Sequence, residues 1–412
     1  MKIFIPALTL FFAVSVRAQL PTASPEAAGF DPARLKVLHA TMKRFVDEGR
    51  HAGVITLLAR DGKMVDFQTY GYRDVERQLP MERDTICRMY SMSKIVTCVV
   101  TLMLVEDGRL SLDDPVTKFL PELKDVKVWT GGTADAPQLE PLKNPIRLKH
   151  LLTHTSGFQY DDSGKDELTK LWKAANLWSG SNLTEFITKV AALPLKHQPG
   201  DAWTYGVNQD VQGALIERVS GKTLGTLLEE WIFRPLGMKD TSFDVPQQKM
   251  HRLAKTYKHG PVGRFAEEQP HDETWPEAGR GIEAGGAGLF STADDFARFA
   301  QMLCNGGTLD GQRILGRKTV ELMTANHLVT LPNNQAATRA KGFGFGVGVT
   351  TDLGRLSMPS SVGQFGWSGI ATTYFQIDPK ERLVAIAFVQ HFPYNEHNFF
   401  AAFQTGYYQA LK

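Results

Sequence analysis

Between Arg88 and Thr97 the chain reads RMYSMSKIVT, which sets Ser91 and Lys94 three positions apart at the start of an apolar run ending at Gly108. A serine hydroxyl is a weak nucleophile until a neighbouring group takes its proton. A lysine amine does so once desolvation or a nearby cation lowers its pKa. Residues at i and i+3 of a helix share a face one turn apart, so this spacing presents the hydroxyl to the amine. A serine at a helix start also carries a backbone N–H without an intrahelical acceptor, which is half of an oxyanion hole. Ser93 adjoins Lys94 and cannot face it. The ordinary alternative makes Ser91 an N-cap and Lys94 a lysine that extends its amine to solvent. A Ser-x-x-Lys pattern arises about once by chance in a chain of this length, so the surroundings must decide.

The 412 residues are 42% hydrophobic and 22% charged, enough for a large core, and the formal net charge is +2. Nothing in that balance points to nucleic acid or to an anionic membrane surface. Met1-Lys2, an apolar run from Ile3 to Val16 and then Arg17-Ala18 read as a secretory signal peptide cut after Ala18. The run falls short of the ~20 residues that span a bilayer. Export to the periplasm or medium follows, with no stable membrane anchor after cleavage. Three cysteines, Cys87, Cys98 and Cys304, make no disulfide framework and read as buried thiols, with a Cys87–Cys98 bridge left open.

Pro32 to Gly49 carries Leu35, Leu38, Met42, Phe45 and Val46 on one helical stripe. Two β-rich runs around Asp61-Gly62 read as a hairpin. Ser91 to Glu106 reads as a helix closed by Gly108. Thr130 to Pro145 reads as a surface loop, and strand signals return in GFGFGVGVTTD, GQFGWSGIATTYFQIDP and RLVAIAFVQ before a last helix in HNFFAAFQTGYYQALK. Strands at both ends with helices between them predict an α/β fold of the α+β type, its antiparallel sheet assembled from both termini and flanked by helices. The expected division is a leader at 1–18, a lead at 19–30, an α/β domain from 31–112 and 284–412, and an inserted, mostly helical domain at 113–283.

YSMSK, then LVEDGRLSLDDPV, then LLTHTSGF (Leu151 to Phe158) resembles the serine β-lactamase and penicillin-binding superfamily, above all the class C β-lactamases and family VIII carboxylesterases. The resemblance continues through RPLGMKDTSF, GGAGLFSTADDFARF and FGWSGIATTYFQIDP and covers nearly the whole mature chain in order. It implies the β-lactamase/transpeptidase-like fold, Ser91 as nucleophile and Lys94 as base. In the family's Tyr-x-Asn element the matching stretch is WTYGVNQDVQG: Tyr205 fits, while Val207 takes the third position and Asn208 falls one residue late. A phenol there relays a proton to the leaving alkoxide. The family's third element, Lys-Thr-Gly or His-Thr-Gly, is here Trp367-Ser368-Gly369. The resemblance makes these substrate-binding residues, with the amides of Ser91 and Ile370 as the oxyanion hole and Gly369 leaving room for substrate. A lysine in place of Trp367 would anchor a substrate carboxylate; Trp367 does not, which favours a neutral ester over an anionic lactam and leaves Lys94 as the principal base.

His150 and His154 lie four apart but lack a third metal ligand, and the family segment gives His154 a structural role. There is no G-x-S-x-G, no HExxH and no G-x-G-x-x-G between a strand and a helix. Asp294-Asp295 reads as a helix first turn, and Asn182-Leu183-Thr184 fits a glycosylation acceptor. The expectation is therefore a carboxylesterase acting through an acyl-enzyme on a small-molecule ester, with weak β-lactam hydrolysis beside it and with no metal and no cofactor. The alternatives are a β-lactamase or D-alanyl-D-alanine carboxypeptidase, an acyltransferase, and a catalytically silent ligand-binding scaffold. The oligomeric state is not legible.

Overall fold

The computed structural model describes residues 19–161, 164–260, 265–267, 281–332 and 341–412. The expected leader at 1–18 lies outside them. Among the described residues no helix is long and apolar enough to cross a membrane.

β1 (Gly53–Arg60) and β2 (Lys63–Asp74) form the hairpin read around Asp61-Gly62. Both turn residues have positive φ, 54° at Asp61 and 76° at Gly62, as a two-residue hairpin turn requires. The other edge of β1 pairs antiparallel with Leu383–Val389, from Val54 opposite Val389 to Arg60 opposite Leu383. An eight-stranded sheet results, in the order Lys341–Phe343, Gly348–Thr350, Phe365–Gly369, Thr373–Asp378, Leu383–Val389, β1, β2, Leu79–Pro80. The two ends of the chain thus build one antiparallel sheet.

That sheet is covered on both faces, so its central strands are buried along nearly their whole length rather than alternating between core and solvent. Val54 and Leu58 of β1, with Ala385 and Ala387, pack against Leu38, Met42, Phe399 and Phe403. These last four come from α1 (Pro32–Asp47) and the terminal helix Phe399–Tyr408. Ile55 and Leu57, with Ile386 and Phe388, face the larger core that holds Phe296 and Phe299 of the helix Ala293–Cys304. α2 (Ser93–Glu106) is almost entirely buried in that core. Gly108, at φ 70°, follows its C-cap and returns an N–H to Val105, as the sequence implied. Cys87 and Cys98 are buried free thiols and Cys304 is half-buried and free.

One expectation fails. Thr130 to Pro145 is not simply a loop, because Lys127–Gly132 pairs antiparallel with Pro137–Pro141. Its prolines and glycines hide the alternation, and Gly131 and Gly132 adopt φ 152° and 89° across a register shift. Leu195 secures the first strand, accepting from Trp129 N and donating to Lys127 O, each at 2.8 Å.

The strand Phe365–Gly369 docks on the segment just before Ser91. Thr373 Oγ1 donates to Met89 O at 3.1 Å, and a Cβ on Gly369 would lie 2.5 Å from that same oxygen and 3.1 Å from Tyr90 Cβ. Gly369→Ala is therefore expected to cost about 1–3 kcal/mol, the usual penalty of overpacking. An unchanged denaturant midpoint would show that the two segments are not in contact.

Candidate active site

Tyr90 adopts φ 47°, a left-handed conformation that costs a non-glycine residue about 1–3 kcal/mol. Tyr90–Met92 forms one 3-10 turn and the α-helix proper begins at Ser93. No side chain caps α2, so Ser91 is not an N-cap. Ser93 is fully buried and its Oγ accepts from Leu289 N at 3.1 Å, which removes it from the chemistry.

Lys94 does not reach solvent either: it is 0% exposed. Its Nζ lies 3.1 Å from Ser91 Oγ, 2.8 Å from the Tyr160 hydroxyl and 2.7 Å from the carbonyl oxygen of Gly286. The centroid of the Tyr205 ring is 4.7 Å away and that of Tyr160 5.2 Å. An ammonium donates to all three oxygens. A neutral amine keeps two N–H groups and one lone pair, and Gly286 O, which can only accept, fixes one N–H. The other two partners are both hydroxyls, so the lone pair faces Ser91 whenever Tyr160 accepts.

Tyr160 was not foreseen. It stands two residues beyond LLTHTSGF, and only that proximity signalled it. Gly286 was likewise invisible, since its contribution is a main-chain carbonyl. Asp210 holds it in place, accepting from Gly286 N at 2.8 Å while itself fully buried. Burial pushes the Asp210 carboxyl up to about 6, against the opposing pull of Lys94 and the Gly286 amide.

Tyr205 sits among aromatic rings: His154 at 4.8 Å, Trp367 at 5.5 Å, Tyr160 at 5.6 Å and Trp203 at 6.0 Å between centroids. Trp367 Nε1 donates to the Tyr205 hydroxyl oxygen at 3.1 Å, so the phenol proton points elsewhere. The sequence placed Trp367 in the cleft wall but did not reveal this bond. Asn208, one residue late for the family element, is locked away from the site: Nδ2 meets His154 Nδ1 at 2.9 Å and Oδ1 accepts from Ser156 at 2.6 Å. His154 has the structural role expected of it, and burial beside Lys94 holds it neutral, well below the ordinary histidine range. His150 Nδ1 accepts from Arg147 N.

The third element lies against the Ser91 turn. Ser368, on the opposite side of the strand from Trp367 as period-two geometry requires, has its Oγ 2.7 Å from the Tyr394 hydroxyl. A Cβ on Gly369 would meet Met89 O and Tyr90 Cβ, so the glycine lets the strand and the turn pack closely. Ile370, 42% exposed, opens the turn closed by Thr372 N donating to Gly369 O at 3.0 Å. Its amide and that of Ser91 therefore belong to segments in direct contact.

A buried lysine on a serine hydroxyl, two phenols beside the lysine, and a mixed sheet-and-helix frame define a serine hydrolase of the β-lactamase fold. The chain belongs to the Beta-lactamase family, whose model matches residues 38–406. It is 30% identical to Esterase EstB of Burkholderia gladioli over 378 residues, 84% of this chain and 88% of that protein. It is 31% identical to Lovastatin esterase of Penicillium rubens, over 86% of this chain and 92% of that protein. Among solved structures, EstCE1, a hydrolase with promiscuous acyltransferase activity, superposes with a TM-score of 0.79 at 25% identity, covering 91% of this chain and 99% of that one.

Two outcomes follow from this geometry. Tyr160→Phe removes one of the three Lys94 partners and should lower kcat about tenfold with KM nearly unchanged, the worth of one hydrogen bond of about 1.4 kcal/mol. An unaltered kcat on a p-nitrophenyl ester would make Tyr160 a packing residue. For Asp210 the folded pKa, about 6, stands above the ordinary 3.8. The folded chain therefore retains a proton that the unfolded chain has released, and this stabilisation is fully present below the lower value and lost as pH rises through the upper one. Asp210→Asn keeps an acceptor for Gly286, so its stability relative to wild type should rise between about pH 4 and about pH 7, by at most ~3 kcal/mol. A pH-independent difference would show that Asp210 is ionised at little cost.

Proposed function

We propose that the protein is a carboxylesterase that cleaves neutral esters through an acyl-enzyme on Ser91. The observation that carries the reading is the fully buried Lys94 amine 3.1 Å from Ser91 Oγ. Lys94 takes the serine proton as Oγ attacks the ester carbonyl, and the amides of Ser91 and Ile370 hold the oxyanion. Tyr205 gives its proton to the departing alkoxide and takes up the one Lys94 received, which returns Lys94 to the neutral amine. Water then attacks the acyl-enzyme, with Lys94 again the base, and the acid leaves with Ser91 restored.

The preference for neutral substrates rests on the wall beside Tyr205. Ring centroids of Trp203 and Phe343 are 5.6 Å apart, and those of Phe343 and Trp367 are 5.2 Å apart. Leu328 and Leu331 extend the same cluster. Such a surface gains free energy by covering an apolar acyl or alcohol group, about 25 cal/mol per Å² buried, and none of these five side chains carries a charge for a carboxylate. Acyl transfer is the second reading, favoured by the likeness to EstCE1 with its promiscuous acyltransferase activity: an alcohol bound on this wall would replace water in the second step. The N-terminal leader reading makes both reactions extracytoplasmic.

The deciding comparison is kcat/KM for p-nitrophenyl butyrate against a chromogenic cephalosporin, for wild type and Ser91→Ala. Ester turnover that exceeds lactam turnover at least a hundredfold and disappears in the variant is expected. A lactam rate equal to or above the ester rate would refute the role given to the aromatic wall. Ester turnover surviving in Ser91→Ala would refute the nucleophile.

A further inference from the structure

Away from the Ser91 turn, four histidines and one glutamate converge from separate parts of the chain. His51 precedes β1, His259 ends the strand Tyr257–His259, His391 begins the strand His391–Phe392, and Glu396 and His397 lie in the turn beyond it. The last two of these strands pair in parallel, His391 opposite Tyr257, which brings the histidines together. Glu396 Oε2 accepts from His391 Nε2 at 2.8 Å and lies 3.2 Å from His259 Nε2 and 3.8 Å from His397 Nε2. The His391 ring is 4.8 Å from the rings of both His51 and His259, and the His259 and His397 rings are 5.9 Å apart.

As a hydrogen-bonding cluster this arrangement is poorly satisfied. A single carboxylate faces three imidazoles. His51 and His391 are 0% exposed, yet both ring nitrogens of His51 and Nδ1 of His391 are buried without a hydrogen-bond partner among the described residues. Buried polar atoms are normally paired, so His51 and His391 mark a polar cluster short of partners, although their orphan nitrogens are not among the ligand atoms of His259, Glu396 and His397. The backbone is forced as well. Asn395, His397 and Asn398 take φ 51°, 59° and 55°, left-handed conformations at three non-glycine residues that flank Glu396. Strain of this kind gathers where side chains must be aimed.

The donor atoms of His259, Glu396 and His397 all lie within 4.8 Å of one another. Tetrahedral zinc, with bonds of about 2.0–2.1 Å, holds its ligands roughly 3.3 Å apart, so a modest contraction of partly exposed side chains completes the set. Two imidazoles and one carboxylate suit Zn²⁺ and its neighbours Co²⁺ and Ni²⁺ rather than Mg²⁺ or Ca²⁺, which take oxygen. We propose that His259, His397 and Glu396 bind a divalent transition metal of the zinc type, with His391 donating to Glu396 and orienting it. A hydrogen bond from a second layer to a ligating carboxylate is a regular feature of such centres. His259 is kept in place by stacking on Phe265, centroid to centroid 5.6 Å.

The metal braces the turn after His391 rather than taking part in hydrolysis. That turn leads back to the strand of Trp367, since the Tyr394 hydroxyl meets Ser368 Oγ and Asn395 N donates to Thr372 Oγ1 at 3.0 Å. The inference does not depend on the role of Ser91.

The test uses the full chain stripped with a chelator and then titrated with ZnCl₂ by calorimetry, with thermal unfolding followed in parallel. One equivalent should bind with micromolar or tighter affinity and raise the Tm. Co²⁺ in its place should give the visible absorption of a tetrahedral N/O site. His397→Gln, at a side chain 35% exposed and so compatible with folding, should weaken binding at least tenfold and abolish the Tm rise. His259→Asn should do the same. Absence of binding by Zn²⁺, Co²⁺ and Ni²⁺ to the wild type overturns the proposal, and so does binding that persists unchanged in both variants.

Discussion

A lysine amine with no access to water is the constraint on which the site depends. Taking a charge out of water costs several kcal/mol unless other groups replace the solvent. Around Lys94 the replacement is a carbonyl, two hydroxyls and two tyrosine rings. The carbonyl belongs to Gly286, and its position is set by close packing. A Cβ on Gly285 would fall 2.5 Å from Gln209 O, and one on Gly286 would fall 2.5 Å from Asp210 Oδ2. The GGAG stretch is therefore a platform pressed against the helix Asn208–Ser220, and its glycines are there for proximity, not mobility. Asp210 fastens the platform at the expense of its own solvation, which is why its carboxyl is raised.

The sheet supplies the other half of the geometry. Its strands come from both ends of the chain, and α1 and the terminal helix pack together on the face away from the large core. The strand Phe365–Gly369 is thereby held at a fixed height over the Ser91 turn. Contact is made through a glycine, a threonine hydroxyl and the left-handed Tyr90. Strain at Tyr90 is tolerated because the sheet on one side and α2 on the other leave the turn no room to relax.

What could be read from the sequence followed from chemistry that resides in side chains. Ser91 and Lys94 could be singled out because their types and spacing suit proton transfer and the family resemblance supports the pair, Tyr205 through the resemblance alone, and the two-ended sheet because its strands are long and apolar. What could not be read resides in the main chain or in long-range contact. Gly286 acts through its carbonyl, and Tyr160 acquires its meaning only when folding brings it to Lys94. The packing of Gly369 on Met89 and Tyr90 was not legible because neither neighbour could be placed. The hairpin Lys127–Gly132 with Pro137–Pro141 was hidden because its prolines and glycines interrupt the alternation that a half-buried strand shows.

Trp367 orients the Tyr205 phenol without bringing a charge to it. A cation there would do two things: attract a carboxylate and donate to the phenol oxygen of Tyr205. The indole keeps the second and gives up the first, because its N–H still reaches that oxygen at 3.1 Å while its ring joins Trp203 and Phe343 in an apolar face. Orientation of the phenol is thus separated from the charge of the pocket. On the neutral-ester reading proposed above, such a site would keep the proton path of its family without the electrostatic term that rewards an anionic substrate, and discrimination would fall to the area of apolar contact. That term grows by ~0.8 kcal/mol with each methylene buried, and selectivity on this wall should follow the length and shape of the chain it covers.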